Sequence, residues 1–510
     1  MEYNLSKHSV SNLNCFLDTV NEQIVDVDIT LPDYCPDVEK ILKCTLKPKI
    51  YTKRISSGQL TIDGVSCVHI LYCDGIKHSI RAFEQSVPFT ATFSLKSTPE
   101  HYITLAHTKC EYINCRALSN RKLVVHGAFS LYAKVLSKST NDVYSFDEEC
   151  DLQVKHREIE VSDLCALCDE QFSVTEEITL SSKPHVEAML DYSVDSNIVE
   201  VKSIENKIML NAELRLDVMY ISDLEKCTVE HISYVFPFNR VFDCDGVGDD
   251  LSCFGTLDVL AHDLHLKNDS LSETSAFVLD VKLNFAQQGY MCKNMKVIED
   301  AYSTCYSVAP EKEMMRTEKN LEVLHYTHFA KESISTDGVK ISKVLNIYCE
   351  NIFLTPVMSD GVLSLSGKAI ICILLFSEDD APVYLERTIE LDLKPEISRT
   401  FDKAELFMCS VNSLSFRLVD DYNIEIKAEV KADIVLCDMI VENIVTNIKV
   451  LSDDNIEKDD CALVLYFAEK GESVWDISKK YLTSETALVR ENSLSDDVLS
   501  SPLMLLIPTE

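Results

Sequence analysis

The chain has 510 residues, more than one hydrophobic core usually accommodates, so three or four domains are expected. Apolar residues make up 46%, against only 12 glycines and 13 prolines, which excludes wholesale disorder and leaves little sequence for flexible linkers. A formal net charge of −35 repels phosphate backbones and anionic headgroups; it argues against nucleic acid and bare membrane, and for a basic or metal-loaded protein surface, although solubility alone accounts for it equally well.

Residues 1–23 form an N-terminal segment with no apolar core of signal-peptide length, and no run of about 18 apolar residues occurs anywhere. Neither export nor membrane insertion is expected, and a cytoplasmic location follows. The 20 cysteines are then expected as reduced, small, buried apolar residues, not as a disulfide framework. Cys67, Cys372 and Cys437 lie inside strand-like runs, which fits that role.

Self-similarity organises the next 430 or so residues into three β-rich repeats, at 24–160, 171–300 and 320–450. LPDYCPDVEKIL at 31–42 matches TLSSKPHVEAML at 179–190 and, more weakly, ISTDGVKISKVL at 334–345. The alternating set Leu60, Ile62, Val68, Ile70, Tyr72 falls on Ile208, Leu210, Leu216, Val218, Tyr220 and on Leu363, Leu365, Ile371, Ile373, Leu375. One offset serves both motifs in each pair of repeats. Period-two alternation places one strand face on a core and the other towards solvent, so each repeat is expected to be an antiparallel β-sandwich or a curled sheet. A short helical turn is expected in PDVEKIL, where Pro36 precedes residues at helical spacing.

This LPDYCPDVEKILKCTLKPKI opening, followed by paired strands, resembles the repeat of clostridial spore-coat morphogenetic proteins of the SipL/SpoVID type over roughly residues 24–450. The third repeat departs furthest, with Val339 at the position of the motif proline.

An acidic linker at 451–461 leads to a final module at 462–510. Its pattern reads strand, turn at Lys470-Gly471, helix, helix, strand, with Ser473 as first N-cap and Thr483 or Ser484 as second. Tyr466, Gly471, Trp475, Ile477, Tyr481, Leu488, Asn492 and Ile507, in that order, make the module resemble the LysM domain, a small α+β (βααβ) fold. The resemblance implies an N-acetylglucosamine-polymer groove lined by Gly471, Glu472, Ser473, Val474, Asn492, Ser493 and Leu494. It also makes Trp475, the single tryptophan, a core residue of the first helix. One departure stands out. Ser501 and Pro502 replace the usual Pro-Gly pair, and Leu503, Met504 and Leu506 follow where polar residues are common. That strip either meets a protein partner or packs against the linker or a repeat.

Signals for chemistry are weak. Cys165 and Cys168 form a lone CxxC; His262 and His265 lack the glutamate of a zinc-protease motif; Asp243, Asp245, Asp249 and Asp250 resemble a calcium loop whose closing position is Phe254. No phosphate loop or nucleophile elbow occurs, so no enzyme, cofactor or metal is expected. Two readings stand. In the first the chain is a scaffold of coat assembly; the resemblance then implies the mother-cell side of the forespore surface, with LysM engaging the coat-basement ATPase SpoIVA. In the second LysM binds peptidoglycan.

Overall fold

Nearly every alternating segment is a strand, paired antiparallel with its neighbours. The computed structural model describes residues 6–145, 151–179, 186–248, 251–268, 275–456 and 463–508. The first repeat contains β1 (Ser6–Thr30), β2 (Val38–Ser56), β3 (Gln59–Asp74), β4 (Ile80–Ser94), β5 (Tyr102–Ser119) and β6 (Lys122–Ser145). They make two three-stranded sheets, β1-β6-β5 and β2-β3-β4. The second repeat follows the same plan with β7 (Leu152–Thr179), β8 (Ala188–Ile204), β9 (Lys207–Asp223), β10 (Thr228–Asp243), β11 (Ser252–Asn268) and β12 (Ser275–Ser303). So does the third, with β13 (Tyr306–Ser335), β14 (Ile341–Ser359), β15 (Val362–Ser377), β16 (Pro382–Leu393), β17 (Lys403–Asp420) and β18 (Asn423–Asn455). The boundaries expected near 24, 171 and 320 lie inside β1, β7 and β13. Each structural repeat therefore begins with a long, largely polar strand upstream of its motif.

The two sheets of a repeat face each other across a sandwich core. The alternating residues that defined the repeat occupy it: Leu60, Ile62, Val68, Ile70 and Tyr72, with their counterparts in β9 and β15, are all buried. Two-residue turns at Ser57-Gly58 and Asp360-Gly361 hold both residues at positive φ, which suits the right-handed twist of the strands they join.

PDVEKIL contains no helix; it opens β2. Register shifts between Val38 and Lys40 and between Ile41 and Lys43 break the ladder. These bulges convert a period of two into helix-like spacing. The second shift recurs between Met189 and Asp191 and between Val344 and Asn346. The residues skipped there are Leu42, Leu190 and Leu345, the shared leucines of the motif. They leave their own sandwiches and meet one another, with Leu71, Met219 and Leu374, in a core drawn from all three repeats.

A second three-repeat core lies beyond the sandwiches. There the far halves of β1–β6, β7–β12 and β13–β18 form paired arms, packed through Val10, Val143, Val161, Val297, Met315 and Ile444. Contacts join the first repeat to the second, the second to the third and the third back to the first, so the repeats close into a ring.

Charged groups seal each seam. Lys47 Nζ lies 2.6 Å from Asp191 between the first and second repeats. Arg215 donates to the carbonyls of Asn412 and Val411 between the second and third. Lys43 Nζ lies 3.2 Å from Glu350 and 3.0 Å from Glu386 between the third and first. Burial alone would lower the Lys43 pKa, but the two carboxylates outweigh it and hold the ammonium above its ordinary range.

A shared core predicts shared unfolding. Leu190→Ala should cost about 2–4 kcal/mol, as a large-to-small change at a buried site. Calorimetry should show the three repeats unfolding in one transition at lower temperature; a separate transition for the second repeat alone would show that the repeats are independent.

Candidate functional site

The last module consists of β19 (Val464–Ala468), α1 (Val474–Lys480), α2 (Glu485–Asn492) and β20 (Leu503–Ile507), with β19 and β20 paired antiparallel. Its core contains Ala468, Val474, Ile477, Leu488, Leu499, Leu505 and Ile507. Ser473 and Ser484 stand at the two N-cap positions, though neither side chain bonds the helix backbone. Gly471 holds φ at +92° in the turn after β19, a conformation that favours glycine.

Trp475 departs from expectation. It is only 4% exposed, yet it lies outside the module's own core. Its ring meets Tyr302 of β12 edge-to-face at 4.9 Å, and its Nε1 donates to Asp300 Oδ2 at 3.1 Å. Lys479 Nζ donates to the same carboxylate oxygen at 2.6 Å, and Tyr302 Oη donates to the Thr483 carbonyl at 2.8 Å. The tryptophan is thus the joint between the module and an arm of the ring. Burial alone would raise the Asp300 pKa, but the bonds from Lys479 and Trp475 outweigh it and hold the carboxyl below its ordinary range.

The seven expected groove residues lie on or beside two loops, 469–474 and 492–499, which backbone bonds tie together. Gly471 N–H donates to the Leu499 carbonyl, Leu499 N–H to Glu472 and Val474 N–H to Asp497, each at 2.9 Å. Most of the seven side chains are committed elsewhere. Val474 is fully buried, and Leu494 packs on the module core. Glu472 accepts from Tyr466 Oη at 2.9 Å and from Glu469 N–H at 3.1 Å. Asn492 clamps the last strand: Nδ2 donates to the Leu506 and Leu488 carbonyls, and Oδ1 accepts from Leu506 N–H at 2.7 Å. Ser493 is exposed at the left-handed end of α2.

The outer face of the small sheet is apolar. Phe467 pairs with Met504 across it and Leu465 with Leu506. Phe467 is 74% exposed, Met504 52% and Leu465 48%, whereas Leu506 is half-buried. Leu503 is exposed at the start of β20. Of the expected strip, Met504 and Leu506 therefore belong to a wider patch completed by Phe467 and Leu465 of β19, whereas Leu503 pairs with the buried Ala468 in the phase of Leu505 and Ile507 and is exposed only because it stands at the end of the strand.

The remaining candidates do not converge. Cys165 sits at a bulge in β7, half-buried, while Cys168 enters the sandwich core. His265 is exposed beside Asp263 at 3.3 Å. His262 faces a cavity of about 190 Å³ at the first seam, lined also by Lys47, Lys49, His69, Glu84 and Asp191. Burial, with Lys49 and Lys47 nearby, pushes His262 down to about 3. Lys47 pairs there with Asp191, and Lys49 Nζ donates to the His262 carbonyl at 2.8 Å. Asp249 and Asp250 lie outside the described residues. The 18 described cysteines are all free, and no helix among the described residues is long and apolar enough to cross a membrane.

Fold and site define a ring of β-sandwiches carrying a small docked α+β module. The SipL SPOCS-domain family model matches residues 37–118 and 185–267, in the first two sandwiches, and the LysM-domain model matches residues 468–508. The chain thus has the domain set of a SipL-type spore-coat protein with a LysM domain, and its third sandwich repeats the strand order of the other two. No curated protein and no solved structure matches the chain.

The joint and the clamp can each be tested. Asp300→Asn at neutral pH should undock the module without unfolding it, and a red shift in Trp475 emission should report this. Because docking depresses the Asp300 pKa, its contribution is fully present above the ordinary carboxyl value of about 4 and is lost as pH falls towards the depressed one. The same red shift should therefore appear in the unsubstituted protein below about pH 4. Asn492→Ala removes both partners of the Leu506 backbone and should weaken the module by about 2 kcal/mol. Hydrogen exchange at the Leu506 amide should then quicken roughly 30-fold.

Proposed function

We propose that the chain is a non-enzymatic scaffold of spore-coat assembly, in which the ring is a rigid body and LysM docks onto a protein through the outer face of its small sheet. The observation that carries this reading is the Leu465, Phe467, Met504 patch, bare on a module whose opposite contacts are already made by the ring. A contiguous exposed apolar surface of this kind favours a protein partner over a hydrated polysaccharide. The state of the groove supports it too, since Glu472 and Asn492 spend their polar atoms inside the module. SpoIVA, the partner implied by the family resemblance, is the one to test, and the mother-cell side of the forespore surface is where the complex would form. The LysM match keeps peptidoglycan as the second reading.

Phe467→Ser alters a side chain that is three-quarters exposed, so folding should be kept. In the full chain it should weaken SpoIVA binding about 10- to 100-fold, the effect of losing an aromatic anchor. Unchanged SpoIVA binding, together with retention of the unsubstituted chain on purified peptidoglycan, would replace this reading with the glycan one.

A further inference from the structure

Two clusters of metal-ligand side chains occur among the described residues. One, Glu350, Cys372 and Glu386, is already filled: Lys43 Nζ lies within 3.2 Å of both carboxylates and completes the third seam. In the other, Glu39, Cys73 and His78, the carboxylate pairs with the imidazole and not with a lysine, although, against the upward push of burial, Lys40 lies near enough to Cys73 to lower its thiol pKa somewhat. The cluster's donor atoms all lie within 4.8 Å of one another. Glu39 Oε2 is 2.6 Å from His78 Nδ1 and 3.9 Å from Cys73 Sγ.

We propose that Glu39, Cys73 and His78 form a divalent transition-metal site, with Zn²⁺ the best-fitting ion. A thiolate, an imidazole and a carboxylate are the donor set that a borderline-soft ion prefers over Mg²⁺ or Ca²⁺. Bond lengths of about 2.0–2.3 Å put the donors of a tetrahedral zinc about 3.3–3.8 Å apart, so the cluster needs only a small adjustment. The buried Cys73 forms the floor, and the exposed Glu39 and His78 form the rim, which leaves entry from solvent.

Comparison of the repeats sharpens the assignment. Where the first repeat places Cys73 next to the shared core, the others place Ile221 and Phe376. The turn that follows is built alike in the first two repeats. Asp74 accepts the N–H groups of Ile76 and Lys77, and Asp223 those of Glu225 and Lys226, leaving His78 and Cys227 each at φ +54°. The two turns touch, because Lys77 Nζ lies 3.4 Å from the Leu224 carbonyl and Cys227 Sγ lies 3.9 Å from that same oxygen. Cys227 of the second repeat is near enough to Cys73 to add to the upward push of burial on its thiol pKa, although it is not among the clustered donors, and a bound ion would sit close to the seam between two sandwiches.

The test uses the full chain and Zn²⁺ alone, in competition with a chromophoric chelator, with Co²⁺ as a spectroscopic substitute. His78→Asn tolerates the left-handed turn and removes an exposed ligand, so the fold should be retained; a matching thermal transition checks this. The unsubstituted chain should bind Zn²⁺ at least tenfold more tightly than His78→Asn, and its Co²⁺ form should show thiolate-to-metal charge transfer that Cys73→Ser loses. Glu350→Gln, in the lysine-filled cluster, should bind zinc as the unsubstituted chain does. Equal zinc affinity in the unsubstituted and His78→Asn chains, or a loss confined to Glu350→Gln, would overturn the proposal.

Discussion

Three leucines anchor one of the two shared cores that hold the ring together. Leu42, Leu190 and Leu345 each sit at a bulge that turns one side chain out of its own sandwich and towards the other two repeats. Beside them the second half of β3 is buried on both faces: Ile70 and Tyr72 point into the sandwich, Leu71 into the shared core. A single sandwich would expose that second face to water. Each repeat therefore completes its burial only through its neighbours, and the ionic seams follow from the close approach of sheets that this core enforces.

How much of this was legible in the residues depended on whether a signal was periodic. The sandwich cores were readable, because period-two alternation at a fixed offset is the direct trace of a strand with one face buried. The shared core was hidden, because Leu71, Met219 and Leu374 occupy the phase that alternation assigns to solvent. The bulges misled more actively, since one skipped residue makes a strand look helical. The long polar strands β1, β7 and β13 lie upstream of the repeat motif, so the repeats were expected to begin too late.

The LysM module shows the same division. Its order of elements could be read from capping residues and helical spacing, but the role of Trp475 could not. A tryptophan that is buried in its own domain and one buried against another domain look alike in sequence. Asp300 and Tyr302, which decide the matter, lie in an unremarked strand some 175 residues away from it. The joint has a physical consequence for recognition. One carboxylate oxygen receives both the indole and the ammonium, which removes much of the module's freedom to swing. A partner thus meets the patch on β19 and β20 at an orientation set by the ring, and less entropy is lost on binding than with a module on a loose tether.

The strand order also sets a timetable for folding. Ser6 pairs with Ser145 and Thr30 with Lys122, so the first strand of a repeat is bonded along its length by the last. During synthesis β1 leaves the ribosome long before β6 exists, and it waits with its edge unpaired. The same delay recurs for β7 and β13. Pairings this distant in sequence make folding slow, and unpaired edges make the waiting chain prone to association. The polar, charge-bearing character of these opening strands, which disguised them as lead-in sequence, is what keeps such an edge in solution until its partner arrives.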